Sequence, residues 1–300
     1  MTTVIERMRE ELVRRSFSPM TIRSYLHAAD VFQKYIGKPL EEAGADDIRH
    51  HQVHLLEERK LARGTVVIHI SALRFLYVRV LKRREMKEDL PYPKKRKRLP
   101  VVLSREEVGR LIDGAKNLFH RTMLMTLYAT GLRRSELQRL KVRNIDSQRM
   151  VVRVEQGKGG IDRDIPLSPK LLETLREYWR WMRPKTYLFP GTEHNWRTDK
   201  PITSKVIWEA VHEAARKAGI EKRVTPHTLR HTYATHLLEA GADLRTIQLL
   251  LGHADLSHTA VYLHLSQKHL QAAPNLLEQI QVSGTDRLRR SRKLCKPQSA

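Results

Sequence analysis

A chain of 300 residues with 40% apolar content exceeds the usual size of one hydrophobic core and predicts two folded domains. Its 56 Lys and Arg against 33 Asp and Glu give a formal charge of +23, which points to a polyanionic partner, nucleic acid first, while no stretch approaches the roughly 18 uninterrupted apolar residues of a spanning helix. The single cysteine, Cys295, excludes an internal disulfide and a cysteine metal cluster, and the charged opening MTTVIERMREELVRRS lacks the apolar core of a secretory signal, so a soluble cytoplasmic protein is expected.

Along the chain, SPMTIRSYLHAADVFQKYIG places Ser18 as a cap, Pro19 at the first helical position and Gly37 as terminator, with Ile22, Tyr25, Leu26, Ala29, Phe32 and Ile36 on one face. TVVIHISALRFLYVRVLKRR predicts a further helix from Thr65, apolar on most faces as at the centre of a small bundle. Residues 1–90 therefore read as an all-helical N-terminal domain. In DLPYPKKRKRLPVVLS, three prolines flank five consecutive cations, Lys94, Lys95, Arg96, Lys97 and Arg98, and mark residues 91–100 as an interdomain linker. Such a run taken alone is usually a solvated charge patch; between two basic domains it is expected to lie along phosphates.

A capping box from Ser104 to Glu107, with the apolar pair Leu103 and Val108, starts the second domain on a helix. MVVRVEQGKGGIDRDIPL changes to a two-residue period around a glycine-rich turn and predicts a β-hairpin. Helices resume in SKVIWEAVHEAARKAG and TPHTLRHTYATHLLEAG, each running from a cap to a glycine. The fold class expected is mainly α with a small antiparallel β-hairpin or sheet.

Four places in this second half can carry chemistry. In YATGLRRSELQRL, Gly131 ends one helix and Arg133 opens the next, with Glu136 three positions on to hold its guanidinium; an isolated pair of this kind is more often a surface ion pair, but the apolar neighbours MLMTLYATG imply burial. In TPHTLRH, Thr225 caps a helix that begins with Pro226, so His227 and Arg230 stand near its positive end and suit an anion. The four-residue spacing of His227 and His231 also suits zinc, but Thr228 stands where a zinc-hydrolase helix has its glutamate and Arg230 would set a positive charge beside the metal, so no metal or other cofactor is expected. His231 and His236 fit a core helix with incidental polar residues. Lys158, in the turn QGKGG, has the reach to protonate a leaving oxygen, though most turn lysines are merely solvated. Tyr262, in LLLGHADLSHTAVYLHL, is either a packed aromatic or a nucleophile; with an ordinary pKa of about 10 it needs cations such as Arg133 and Arg230, and His227 and His253, to stabilise a phenolate.

The combination TGLRRSEL followed by HTLRH, LLGH and Tyr262 resembles the tyrosine recombinase (phage integrase) family, closest in pattern to Xer-like or transposon and phage integrases, over nearly the whole chain. The resemblance implies a helical core-binding domain and a mixed α/β catalytic domain that clamp the duplex, with residues 101–282 catalytic; by its own composition, SGTDRLRRSRKLCKPQSA, residues 283–300, is expected to be a basic disordered tail. It also implies that Arg133 and Arg230 hold the non-bridging phosphate oxygens, His227 and His253 add hydrogen bonds, Lys158 is the general acid and Tyr262 forms a 3′-phosphotyrosyl bond without a cofactor. Ile161 stands where the commoner turn has a second lysine. A homotetramer on double-stranded DNA, monomeric or weakly associated when free and located with the nucleoid, is implied; the apolar side chains of residues 269–280 need a groove, either on their own catalytic domain or, as the resemblance implies, on a neighbouring subunit. Two other classes stay open on the residues alone: a type IB topoisomerase, and a DNA-binding protein without chemistry.

Overall fold

Side-chain caps set most of the helix starts, and those at Ser18, Ser104 and Thr225 are where the sequence puts them. The computed structural model describes residues 3–94, 99–155, 162–193 and 196–265, and the chain divides into two compact units, residues 1–97 and residues 98–300. Lys95, Arg96, Lys97 and Arg98, the hairpin turn with Lys158 and Ile161, and residues 269–280 and 283–300 lie outside the described residues.

In the first unit, α1 (Val4–Arg14) starts on a capping box between Thr3 and Glu6, and α2 (Pro19–Ile36) runs from a Ser18 cap to Gly37, whose φ of 66° is left-handed. α3 (Ala45–Val53) continues into a π-helical turn, His54–Glu58. α4 (Arg63–Arg74) begins two residues before the expected Thr65, because the carbonyl of Ala62 already accepts from the amides of Thr65 and Val66. It too ends in a π-helical turn, Phe75–Val80, along which Phe75, Leu76, Tyr77 and Val80 are all buried in the core. Met8, Leu12, Ala29, Phe32, Ile48 and Leu73 complete that core, and the buried Tyr77 hydroxyl donates to the Leu40 carbonyl at 2.9 Å.

The second unit opens on α5 (Arg105–Asp113), where both bonds of the Ser104–Glu107 box form. α6 (Leu118–Thr130) is buried along most of its length, packs on α8 and α10, and stops at Gly131 (φ 59°) before the short α7 (Arg134–Arg139). The expected hairpin is present as β2 (Val151–Val154) and β3 (Arg163–Pro166), antiparallel, with Val154 opposite Arg163; a short β1 (Ile145–Asp146) adds a third strand. α8 (Pro169–Met182), a second hairpin of β4 (Pro190–Glu193) and β5 (Trp196–Pro201), and α9 (Ser204–Lys217) follow. Then come α10 (Pro226–Glu239), α11 (Leu244–Leu251) and α12 (Ser257–Ala260). Tyr262 belongs to a small apolar cluster of its own, with Tyr233, Ala234 and Leu238 of α10 and Ile247 and Leu251 of α11. No helix among the described residues is long and apolar enough to cross a membrane.

Candidate active site

The turn between α6 and α7 builds the first wall of the site. Gly131 is required there twice: its φ is left-handed, and an added Cβ would fall 2.8 Å from Cε1 of the Tyr233 ring and closer still to Cδ1. Arg133 sits at the cap position of α7, and Glu136, on the third residue of that helix, reaches back to it. One Glu136 oxygen accepts from the Arg133 amide at 2.8 Å and the other from Nη1 of the Arg133 side chain at 2.7 Å. Arg133 Nη2 donates onward to the Gly252 carbonyl at 2.9 Å.

Arg230 enters from the second turn of α10. Its side chain is only 4% exposed, and its two terminal nitrogens donate to the carbonyls of Gly131 at 2.7 Å and Leu251 at 2.6 Å, tying the α6–α7 turn to the end of α11. Glu136 lies 3.9 Å from Arg230 Nη1. Burial and the Arg133 charge pull the Arg230 guanidinium down to about 10, so it stays charged at neutral pH. A third guanidinium, Arg163 from β3, donates to both oxygens of Glu136 at 3.1 and 2.7 Å and through Nε to the Leu250 carbonyl at 2.7 Å. Burial alone would push the Glu136 carboxyl up; the bonds and charge of Arg163 and the bonds from Arg133 outweigh it and bring it down to about 2. Three guanidiniums thus share one carboxylate, and the surplus positive charge makes this a site for an anion.

The histidines border this charge as neutral rings. Burial and the charges of Arg230 and Arg133 push His253 down to about 4, while its Nδ1 is engaged by the Thr259 hydroxyl at 2.9 Å, leaving Nε2 to meet a ligand. Gln248 Nε2 donates to the His253 carbonyl at 3.0 Å and fixes the backbone there. His227, on the first turn of α10, is exposed, and desolvation together with Arg230, Arg134 and Arg133 lowers its pKa. Thr225 caps that helix by accepting from the Thr228 amide at 3.2 Å, so one of the amides at its positive end is already satisfied within the chain.

Tyr262 is 1% exposed, and its hydroxyl lies 3.2 Å from Nδ1 of His231. The ring stacks near-parallel to His253, with centroids 6.4 Å apart. Burial raises the phenol pKa, while Arg230 and Arg133 pull it the other way. A phenol kept neutral by burial but set beside positive charge is one whose phenolate those cations would stabilise as it forms.

The structure therefore brings together Arg133, Glu136, Arg230, His253 and Tyr262, and sets His227 at the exposed rim. Sequence reasoning missed two residues. Arg163 stands two positions before the buried Ile165 on β3, and that two-residue step puts a guanidinium toward the core, where it demands a carboxylate; the alternation carried this signal. For His231, read from the sequence as incidental, spacing held no hint of a partner 31 residues on. Among the described residues no group of three or more His, Cys, Asp or Glu side chains is arranged to hold a metal ion.

Comparison with known proteins matches residues 101–269 to the phage integrase family and residues 4–86 to the phage integrase N-terminal SAM-like domain. The protein y4qK of Sinorhizobium fredii, whose name includes the words integrase/recombinase, is 48% identical over 93% of this chain and 89% of its own length. Tyrosine recombinase XerA of Pyrococcus furiosus is 37% identical over 92% of this chain and 96% of its own. Among solved structures, a lambda integrase tetramer bound to a Holliday junction aligns with a TM-score of 0.71 at 19% identity, over 86% of this chain and 76% of that one, a likeness of fold.

Proposed function

Given that the chain belongs to the phage integrase family of tyrosine recombinases, we propose that Tyr262 is the nucleophile with which it cuts and rejoins DNA, and that Arg133 and Arg230 hold the scissile phosphate. The chain is a site-specific recombinase, which sets aside simple DNA binding and duplex relaxation. The observation that carries the residue assignment is the buried phenol beside a surplus of guanidinium charge, with Arg133 and Arg230 both acting on it.

In this reading the phenolic oxygen attacks the phosphorus, a 3′-phosphotyrosyl bond forms, and the bond to the 5′-oxygen breaks. Nδ1 of His231, 3.2 Å from the hydroxyl, is placed to take the phenolic proton, and Lys158 returns a proton to the leaving 5′-oxygen. Arg133 and Arg230 then exchange one carbonyl partner each for a non-bridging oxygen as charge builds on the phosphate, with His253 Nε2 and His227 adding hydrogen bonds. The hydroxyl of a second strand reverses the step, so the energy of the phosphodiester is retained in the tyrosyl ester. Because Tyr262 is almost wholly buried, the turn from α12 to Leu265 must shift to bring its oxygen to the roughly 3–3.5 Å that attack requires. The helical first unit and the cations Lys94 to Arg98 grip the backbone of double-stranded DNA. Four copies act on two sites, in the cytoplasm alongside the nucleoid; a lambda integrase tetramer bound to a Holliday junction supports that number.

A nicked suicide substrate carrying the cognate site tests this. The wild type should accumulate a covalent protein–DNA adduct, and Tyr262→Phe should bind the same duplex and form none. An adduct in Tyr262→Phe, or none in the wild type, would overturn the assignment.

A further inference from the structure

We infer that Arg163 is a positioning residue for DNA cleavage: by occupying Glu136 it leaves Arg133 and Arg230 their charge for the phosphate, and by holding the Leu250 carbonyl it fixes the end of α11 from which His253 follows. This rests on the assignment of Arg133, Arg230 and Tyr262 to the cleavage site.

Three features of the geometry support it. First, Glu136 is buried and bonded by Arg133, and it stands 3.9 Å from Arg230. A lone carboxylate so placed would cancel one of the two charges needed by the phosphate and draw both guanidiniums toward itself. Arg163 meets both of its oxygens in a fork, so the carboxylate orients Arg133 while its charge is spent on a different arginine.

Second, the end of α11 is divided among the arginines. The carbonyls of Gln248 and Leu249 are closed within the chain by the amides of His253 and Gly252, and the next three accept in turn from Arg163 (Leu250), Arg230 (Leu251) and Arg133 (Gly252). Carbonyls at a helix C-terminus have no partner within the helix and carry its negative end, so they attract cations. When DNA binds, Arg133 and Arg230 must reach the phosphate and loosen their hold. Arg163, 7% exposed and turned to Glu136 and Leu250, has no such competing duty and keeps the segment in place.

Third, Gly252 (φ 61°) lets this packing occur: a Cβ there would lie 3.1 Å from Arg163 Nη1 and 3.2 Å from its Cδ. The guanidinium of Arg163 thus lies against the glycine directly before His253. It also anchors β3, the strand that returns from the turn containing Lys158, so one side chain links the strand after that turn, the carboxylate behind Arg133 and the segment before His253.

The test uses the full-length protein and the nicked suicide substrate, with adduct formation timed under single-turnover conditions and duplex affinity measured by gel shift. Arg163→Met should slow adduct formation by about 100-fold while affinity changes by less than about threefold, because the loss falls on charge that develops in the transition state. Arg163→Lys, which keeps a charge for Glu136 but not the fork, should cleave about tenfold faster than Arg163→Met. The decisive variant is Arg163→Met combined with Glu136→Gln. Removing the stray carboxylate should restore adduct formation to within about tenfold of wild type, whereas a purely structural role predicts a double variant no faster than the single one. Wild-type cleavage by Arg163→Met, or a double variant as slow as Arg163→Met, overturns the inference while leaving the nucleophile intact. An adduct that survives Tyr262→Phe overturns both.

Discussion

Replacing Glu136 by Gln keeps the shape of the side chain and the acceptor for the Arg133 amide but removes the charge that three guanidiniums share. The carboxyl is brought from the usual 4.5 to about 2 in the folded chain, and at about 1.4 kcal/mol per pKa unit the ionised form contributes about 3 kcal/mol to stability. Because the folded-state value is depressed, that contribution is fully present above pH 4.5 and is lost as the pH falls toward 2. The difference between wild type and Glu136→Gln should thus be about 3 kcal/mol at pH 7 and about 2 kcal/mol at pH 3.5. Urea unfolding followed by tryptophan fluorescence measures it cleanly, since all four tryptophans, Trp179, Trp181, Trp196 and Trp208, belong to the second unit together with Glu136. A difference below about 1 kcal/mol at pH 7, the scale of an exposed ion pair, would refute the view of Glu136 as a buried hub, and so would a difference that stays flat between the two pH values.

Gly131→Ala should lower the unfolding midpoint of the same fluorescence transition, since the left-handed φ alone costs about 1–2 kcal/mol and the new methyl meets the Tyr233 ring; it should also slow cleavage, because the Gly131 carbonyl holds Arg230, and an unchanged midpoint would argue against the contact. Lys158→Ala should be slow on ordinary DNA and recover when the bridging 5′-oxygen is replaced by sulfur, whose thiolate leaves without a proton; timing adduct formation on both substrates checks this, and lack of recovery would remove Lys158 as the proton donor.

The helix starts were legible because they depend on neighbours in sequence: Ser18, Ser104 and Thr225 each cap the turn that follows them, and Gly37 and Gly131 adopt the left-handed conformations that end α2 and α6. The pairing of Arg133 with Glu136 was legible for the same reason, being three residues long. β4 and β5 were not, since PGTEHNWRTDKP has neither alternation nor β-branched content beyond Thr192 and Thr198. The start of α4 was misplaced because a backbone carbonyl, not the Thr65 side chain, closes its first turn. In the site, the contacts of Arg163 with Glu136 and Leu250 span 27 and 87 residues, and the approach of His231 to Tyr262 spans 31; no periodicity encodes distances of that kind. The inward direction of Arg163 was written in the strand, but its partner was not.

The seclusion of Tyr262 bears on how the protein searches for its target. A chain with a formal charge of +23 settles on any stretch of duplex it meets, and a genome offers on the order of 10⁶–10⁹ unintended places to settle. Were the hydroxyl of Tyr262, the proposed nucleophile, open to solvent, each stop would bring a strand within its reach. With the hydroxyl against His231 and the ring enclosed by α10 and α11, that assignment makes landing and cutting separate events with separate requirements. Discrimination would then be exercised by whatever frees the phenol, and a wrong sequence could serve as a resting place without becoming a break in the DNA.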